Sequence, residues 1–298
     1  MAKCNWLPGG RRGAFALGAA AAASLMAAWP AWAGQGGADE GRVLRVCADP
    51  DNMPFSNARG EGFENRIAAL LAQEIHAELE TTWRTSRRGF LRRTLQSGAC
   101  DVVMGVLAGA PSVAPTKPYY RSTYVAVSRR AAALSFGSYD EPSLRKLRIG
   151  LPAVGADGAN TPPADALARR GIADNVYGYV NYSDGSPNDG PSHIVDAVAN
   201  GEIDVAFVWG PVGGYFAKAH QDELTVAPAP SDLAHVESAF AYDIAIGVAK
   251  DETALRDELD GALARRRQDL SAILKDYGVP IVGGESDAGA RAASASAN

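Results

Sequence analysis

From Arg42 onward the chain alternates two hydrophobic rhythms. Short apolar runs bounded by glycine, proline and polar turn formers take turns with stretches whose apolar residues recur every third or fourth position. The runs predict strands at Val43–Ala48, Glu80–Trp83, Cys100–Val106, Tyr124–Val127, Leu147–Leu151, Val176–Val180, Asp204–Val208, Leu224–Ala227 and Tyr242–Val248. The helical spacing predicts a helix opening at Gly62-Phe63-Glu64, with Ile67, Leu70, Leu71 and Ile75 on one face, and another over Gly89–Gln96, with Phe90, Leu91 and Leu95 inward. Further helices are expected at Asp165–Arg170, Ser192–Ala199 and Gly213–His220. One long helix is expected over Thr253–Tyr277, with Leu255, Leu259, Leu263, Leu270, Ile273 and Leu274 on its inner face.

Strand–helix alternation of this kind calls for a parallel sheet with helices on both faces. It occurs twice, so the expected fold is α/β and two-lobed. Each lobe is a mostly parallel sheet flanked by helices, and the chain crosses between lobes at two hinges. Residues 42–126 with 237–282 make lobe one, and residues 127–236 lobe two. No internal repeat is expected from the hydrophobic pattern. The first crossing is the stretch from Cys100 to Val127: a buried strand, a glycine- and proline-rich segment over Leu107–Lys117, then a strand leaving the first unit. Loops of this kind at the ends of open α/β sheets line ligand clefts.

Outside this body lie two segments of different composition. Lys3, Arg11 and Arg12 precede the apolar Ala14–Trp29, and Ala31-Trp32-Ala33 supplies a cleavage site. Residues 1–33 therefore read as a secretory signal peptide that delivers a product with no stable membrane insertion to the periplasm. Residues 283–298, rich in Ala, Ser and Gly, read as a disordered tail. The formal charge of −5 argues against nucleic acid as a partner, and losing the basic leader makes the chain more acidic still. Two cysteines remain, Cys47 and Cys100, in an oxidising compartment and on strands expected to be neighbours. A disulfide closing the intervening loop is worth about 4 kcal/mol; two buried free thiols are the alternative.

The chemistry candidates are few. His76, His193, His220 and His235 stand apart, without the spacing of a metal site. Asp184–Gly190 mimics a calcium loop but carries Val195 where a glutamate should be. No nucleophile elbow, P-loop or dinucleotide fingerprint is present, so neither a catalytic residue, a metal nor a cofactor is expected. Arg84, Arg87, Arg88, Arg92 and Arg93 cluster between a strand and its helix. They form either a solvated helix start or an anion contact for a ligand or an acidic partner. Phe55, Trp83, Tyr119, Tyr120, Trp209 and Tyr215 fall at strand ends or helix starts on the cleft side. The expected cleft residues are Asp49, Asn52, Phe55, Arg87, Arg88, Tyr119, Tyr120, Trp209 and Tyr215.

The layout over Arg42–Val282 resembles the type II periplasmic solute-binding fold. The polar amino-acid binders of that group share a pattern matched here by Asp204, Pro211, Val212 and Tyr215. The acid that holds the ligand's amino group in that pattern is replaced by Trp209, and no arginine stands in Leu107–Thr116 to grip a carboxylate. Binding an amino acid there would leave buried charges unpaired, at several kcal/mol per ion.

The chain is similar in more detail to the MoxJ/XoxJ family associated with quinoprotein alcohol dehydrogenases. The match is carried by Arg45-Val46-Cys47-Ala48-Asp49-Pro50 with Asn52, Pro54 and Phe55, by Gly62-Phe63-Glu64-Asn65, and by Arg87-Arg88-Gly89-Phe90. Cys100–Val106, Thr116–Tyr124 and Gly201–Ala206 with Trp209-Gly210-Pro211 add to it. The loops Ala153–Pro163 and Asp184–Gly190 depart from the family pattern. The resemblance implies a periplasmic accessory protein that binds or activates a PQQ-dependent methanol dehydrogenase. The alternative is the substrate-binding component of an ABC transporter for a small solute.

Overall fold

A computed structural model describes residues 41–153, 160–182, 190–232 and 240–283. The leader, His235, most of the calcium-like loop, part of Ala153–Pro163 and the tail beyond Gly283 lie outside these residues.

Three parallel strands open the fold. Strand β1 (Val43–Ala48) is followed by a small ribbon, β2 (Asp51–Asn52) with β3 (Ser56–Asn57), and by helix α1 (Phe63–Glu74). Next come β4 (Glu78–Trp83), the short helix α2 (Phe90–Arg93) and β5 (Val102–Leu107). After β6 (Ala114–Pro115) the long β7 (Tyr120–Arg129) leads into a second set. That set comprises β8 (Ile149–Pro152), α3 (Pro162–Arg169), β9 (Val176–Tyr179), α4 (His193–Ala199) and β10 (Val205–Trp209). Helix α5 (Gly210–Ala217) and β11 (Leu224–Pro228) follow. The chain then forms β12 (Ala241–Val248), α6 (Thr253–Arg265) and α7 (Arg267–Asp276).

The strand order is β4-β1-β5-β12-β7-β10-β8-β9. Pairing is parallel within β4-β1-β5 and within β10-β8-β9, as the alternation requires, and antiparallel where β12, β7 and β11 join. Strand β7 changes partner midway: Tyr120–Thr123 pair with β12, and Tyr124–Ser128 with β10. It therefore belongs to both halves. Strand β12, expected over Tyr242–Val248 as the return crossing, pairs with β5 and β6 as well as with β7; residues 233–239 before it lie outside the described residues.

The two halves repeat one another, which the sequence reading missed. In the first, Arg45 donates its amide to Asp101 Oδ2 (2.9 Å) and Nη2 to Oδ1 (2.5 Å), while the Asp101 amide returns a bond to the Arg45 carbonyl. In the second, Arg148 donates its amide to Asp204 Oδ2 (2.8 Å) and Nη2 to Oδ1 (2.7 Å), and the Asp204 amide returns to the Arg148 carbonyl. Both clasps span 56 residues. Each fixes the entry of the first strand of its set beside the third, satisfying backbone groups that the ladder leaves open.

Apolar packing follows the predicted faces. Ile67 and Leu71 of α1, with Ile75 just after it, join Leu259, Leu263, Leu270 and Leu274 in one core, while Phe207, Leu144, Ile149 and Leu167 form another. Two helices end earlier than expected. The Gly89–Gln96 helix breaks at buried Thr94, whose hydroxyl bonds back to the Phe90 carbonyl and competes with the helical ladder. The long C-terminal helix breaks at Arg266 (φ −98°, ψ 17°). The break lets α6 and α7 both lie on α1, and Arg265 at the bend holds Glu74 of α1 (2.5 Å). The cysteines are bridged, Cys47 to Cys100, with Cα atoms 5.6 Å apart; β1 and β5 are neighbours as expected.

Candidate functional site

A cavity of about 220 Å³ opens at the carboxyl ends of β1 and β5 and reaches Trp209 at the end of β10. Its floor is built by an unusual loop after β1. Asp49, 7% exposed, accepts the amides of Asp51 and Ser86, so one carboxylate ties the β1 loop to the β4 loop. The Ser56 hydroxyl donates to the Asp49 carbonyl (2.8 Å). The Pro54 and Phe55 carbonyls accept the first amides of α1, from Phe63 and Glu64, while Asn65 Oδ1 accepts the amides of Asn57 and Gly62. A Cβ on Gly62 would lie 2.1 Å from the Phe55 oxygen, so only glycine fits this crossing. The amides of Gly62, Phe63 and Glu64 at the helix start are thereby taken up by the protein itself.

Of the expected residues, Asp49, Asn52, Phe55, Tyr120 and Trp209 line this cavity. Tyr119 lies behind its wall, edge-on to Tyr120 at 5.0 Å. Trp209 packs edge-on to Tyr124 (5.4 Å) and Tyr242 (5.9 Å) and also walls a second apolar cavity of about 50 Å³ beside Tyr179, Ile194 and Val208. Arg87 and Arg88 are exposed and stand outside the cavity lining; Arg87 lies over the ring of Tyr182, 4.5 Å from its centroid. Tyr215 is absent from the lining. Six positions beyond Trp209, it is turned by α5 to stack on Tyr277 at 5.6 Å.

Sequence reasoning passed over the most perturbed carboxyl among the described residues. Glu64, partly exposed on the cavity wall, receives the Tyr119 hydroxyl at 3.3 Å. Burial raises its carboxyl to about 7, and the Tyr119 hydrogen bond only partly opposes this. Burial, then the Glu64 charge, pushes the Tyr119 phenol well up, so it stays a donor. Gly105 (φ +71°) makes room for the acid: a Cβ there would sit 2.4 Å from Glu64 Oε1. Ser86 and Phe90 also line the cavity; Phe90 was expected only as an inward residue of its helix. No lysine or arginine is in the lining; its charged residues are Asp49, already held by two amides, and Glu64.

The fold and this cleft define a two-lobed, type II binding protein. The family model of bacterial extracellular solute-binding proteins, family 3, matches residues 44–280. Protein MoxJ of Methylorubrum extorquens is 32% identical over 252 residues, spanning 80% of this chain and 82% of that protein. The crystal structure of MxaJ from Methlophaga aminisulfidivorans MPT superposes with a TM-score of 0.70 at 28% identity, covering 80% of this chain and 100% of that one. The periplasmic binding protein XoxJ from Methylobacterium extorquens AM1 gives 0.66 at 32% identity, covering 81% and 100%. The chain belongs to the extracellular solute-binding proteins of family 3 and, within them, to the MoxJ/XoxJ family. No helix among the described residues is long and apolar enough to cross a membrane.

Proposed function

We propose that this protein is a periplasmic accessory factor of methanol oxidation, which holds a PQQ-dependent methanol dehydrogenase at its cleft and rim without catalysing a reaction itself. The supporting observation is the cavity wall. Asp49 is committed to two amides, no cation lines the space, and Phe55, Tyr120 and Trp209 present aromatic surface. Such a wall suits an apolar segment of a partner, since a zwitterion would lose hydration without gaining counter-charges. In this reading Asp49 and Asn52 shape the floor, Phe55, Tyr120 and Trp209 make contact, and Arg87 and Arg88 stand at the rim. Family membership and the Ala31-Trp32-Ala33 leader support delivery to the periplasm.

Co-purification of the cofactor-free dehydrogenase with the tagged mature protein, followed by calorimetry on the pair, tests the proposal. A stable complex is expected. The competing reading, a transport receptor for a small solute, is motivated by the cavity's volume of about 220 Å³. Absence of a complex together with tight binding of one compound from a solute panel would replace the first reading with the second.

A further inference from the structure

The arginines of this molecule are used in two ways. Over most of the described surface they are paired: Arg42 with Glu258, Arg121 with Asp243, Arg170 with Asp140 and Asp232, Arg265 with Glu74. The segment between β4 and the end of α2 is different. Arg84, Arg87, Arg88, Arg92 and Arg93 are all exposed, and none has a carboxylate partner among the described residues. Two of them converge. Gly89 is left-handed (φ +79°), and a Cβ placed on it would find Arg92 Nη2 and Arg93 Nη1 each at 3.3 Å. Arg93 is held in that place by donating to the Arg88 carbonyl at 2.8 Å. Like charges gathered this closely repel one another.

The position of the cluster adds meaning. Ser86 and Phe90, interleaved with these arginines, line the cavity. Arg87 reaches Tyr182, beyond β9 in the second strand set. The cations therefore form one rim of the cleft on a chain whose formal charge is −5. An incoming group would meet them before reaching the aromatic wall.

We infer that the arginine rim is a docking surface for an acidic face of a protein partner, which it steers onto the cleft. Exposed guanidinium groups beside an aromatic wall match carboxylates flanking an apolar segment. This rests on the accessory-factor reading for the identity of the partner, but the chemistry can be probed without it. Arg87 is engaged by Tyr182; Arg84, Arg88 and Arg92 have no carboxylate partner among the described residues and are the ones proposed to receive carboxylates.

The test compares the folded mature protein, the variant R84E/R88E/R92E and a control with the same charge change, K146E/K250E/K275E. Binding to the cofactor-free methanol dehydrogenase is measured over a salt series, as is binding to poly-glutamate. We expect the arginine variant to weaken dehydrogenase binding by about tenfold or more at low salt and to flatten its salt dependence, with the control within about twofold of wild type. Equal weakening in both variants would reduce the effect to net charge and overturn the inference. So would unchanged binding in the arginine variant. If the dehydrogenase binds none of the proteins, the accessory reading falls, and the poly-glutamate series decides the rim alone: selective loss in the arginine variant supports it, no selective loss overturns it. Anionic phosphatidylglycerol vesicles captured by wild type and not by the arginine variant, with poly-glutamate bound equally by both, would assign the rim to a membrane surface instead. R84Q/R88Q/R92Q, checked by thermal melting, separates charge removal from misfolding.

Discussion

The two halves of this protein share a clasp and differ in what they fasten beside it. Arg45–Asp101 and Arg148–Asp204 hold their strands through the same bonds over the same span. In the first half a disulfide lies next to the clasp, since Cys47 and Cys100 flank Arg45 and Asp101. In the second half the reinforcement is a second cation: Arg129 also reaches Asp204, at 3.1 Å, and bonds the Val198 and Ile203 carbonyls. The same geometric problem is solved once covalently and once electrostatically. The difference predicts that the halves will fail under different stresses.

The largest effect should come from the covalent side. Replacing both Cys47 and Cys100 by serine removes a closure over 53 residues and should lower stability by about 4 kcal/mol in the chain-entropy model. Hydrogen exchange should show the loss in β1, β4 and β5 first; equal loss of protection in β8–β10 would erase the distinction. Next comes Asp204→Ala, which strands two arginines and should lower stability by about 2–3 kcal/mol. Asp101→Ala strands one arginine, with the disulfide intact, and should lower it by about half as much. The arginine hydrogen bonds hold the Asp204 carboxyl down at about 2. A depressed carboxyl stabilises the fold above its ordinary range, and that contribution disappears as pH falls from about 4 toward 2. Acid titration of Asp204→Asn should lack this step.

Glu64 titrates in the opposite sense. Its carboxyl is raised to about 7, so its contribution to stability is greatest while it is protonated and is lost as pH rises from about 4.5 to about 7. Glu64→Gln should therefore equal wild type near pH 4 and exceed it above pH 7, by on the order of 2 kcal/mol. Identical denaturant midpoints at high pH would mean the acid is solvated through the cavity. The smallest effect on the fold is expected from Trp209→Ala, which should weaken partner binding roughly tenfold while leaving the thermal midpoint within a few degrees. Unchanged affinity in a folded variant would remove Trp209 from the contact surface.

What the sequence made legible follows from the range of the forces involved. Strand positions and helix faces are local, and β1, β5, β10 and β12 fall where the apolar runs place them. The disulfide was readable because adjacent strands bring their ends together. The repeat was also present in the letters: Leu44-Arg45-Val46 returns as Leu147-Arg148-Ile149, and Gly98 to Val102 as Gly201 to Val205. The signal lies in a few spaced residues rather than in a run, so a pattern of hydrophobicity does not show it. Glu64 could not be read as perturbed. A glutamate in the first turn of a helix is an ordinary exposed choice, and its partner Tyr119 is 55 residues away. Tyr215, expected at the cleft, is the sixth residue of a short helix and stacks on Tyr277 outside the cavity lining, a rotation that strand-end position alone does not give.

Strand β7 has a mechanical consequence. Its ladder passes from β12 to β10 between Thr123 and Tyr124 without a break in the chain direction. Flanking bonds pin it there, from the Thr123 hydroxyl and the Tyr124 amide, both to the Phe240 carbonyl. Widening the cleft would thus wring a paired ribbon along its length, as torsion winds a leaf spring, and the restoring torque would come from the ribbon's own preferred twist.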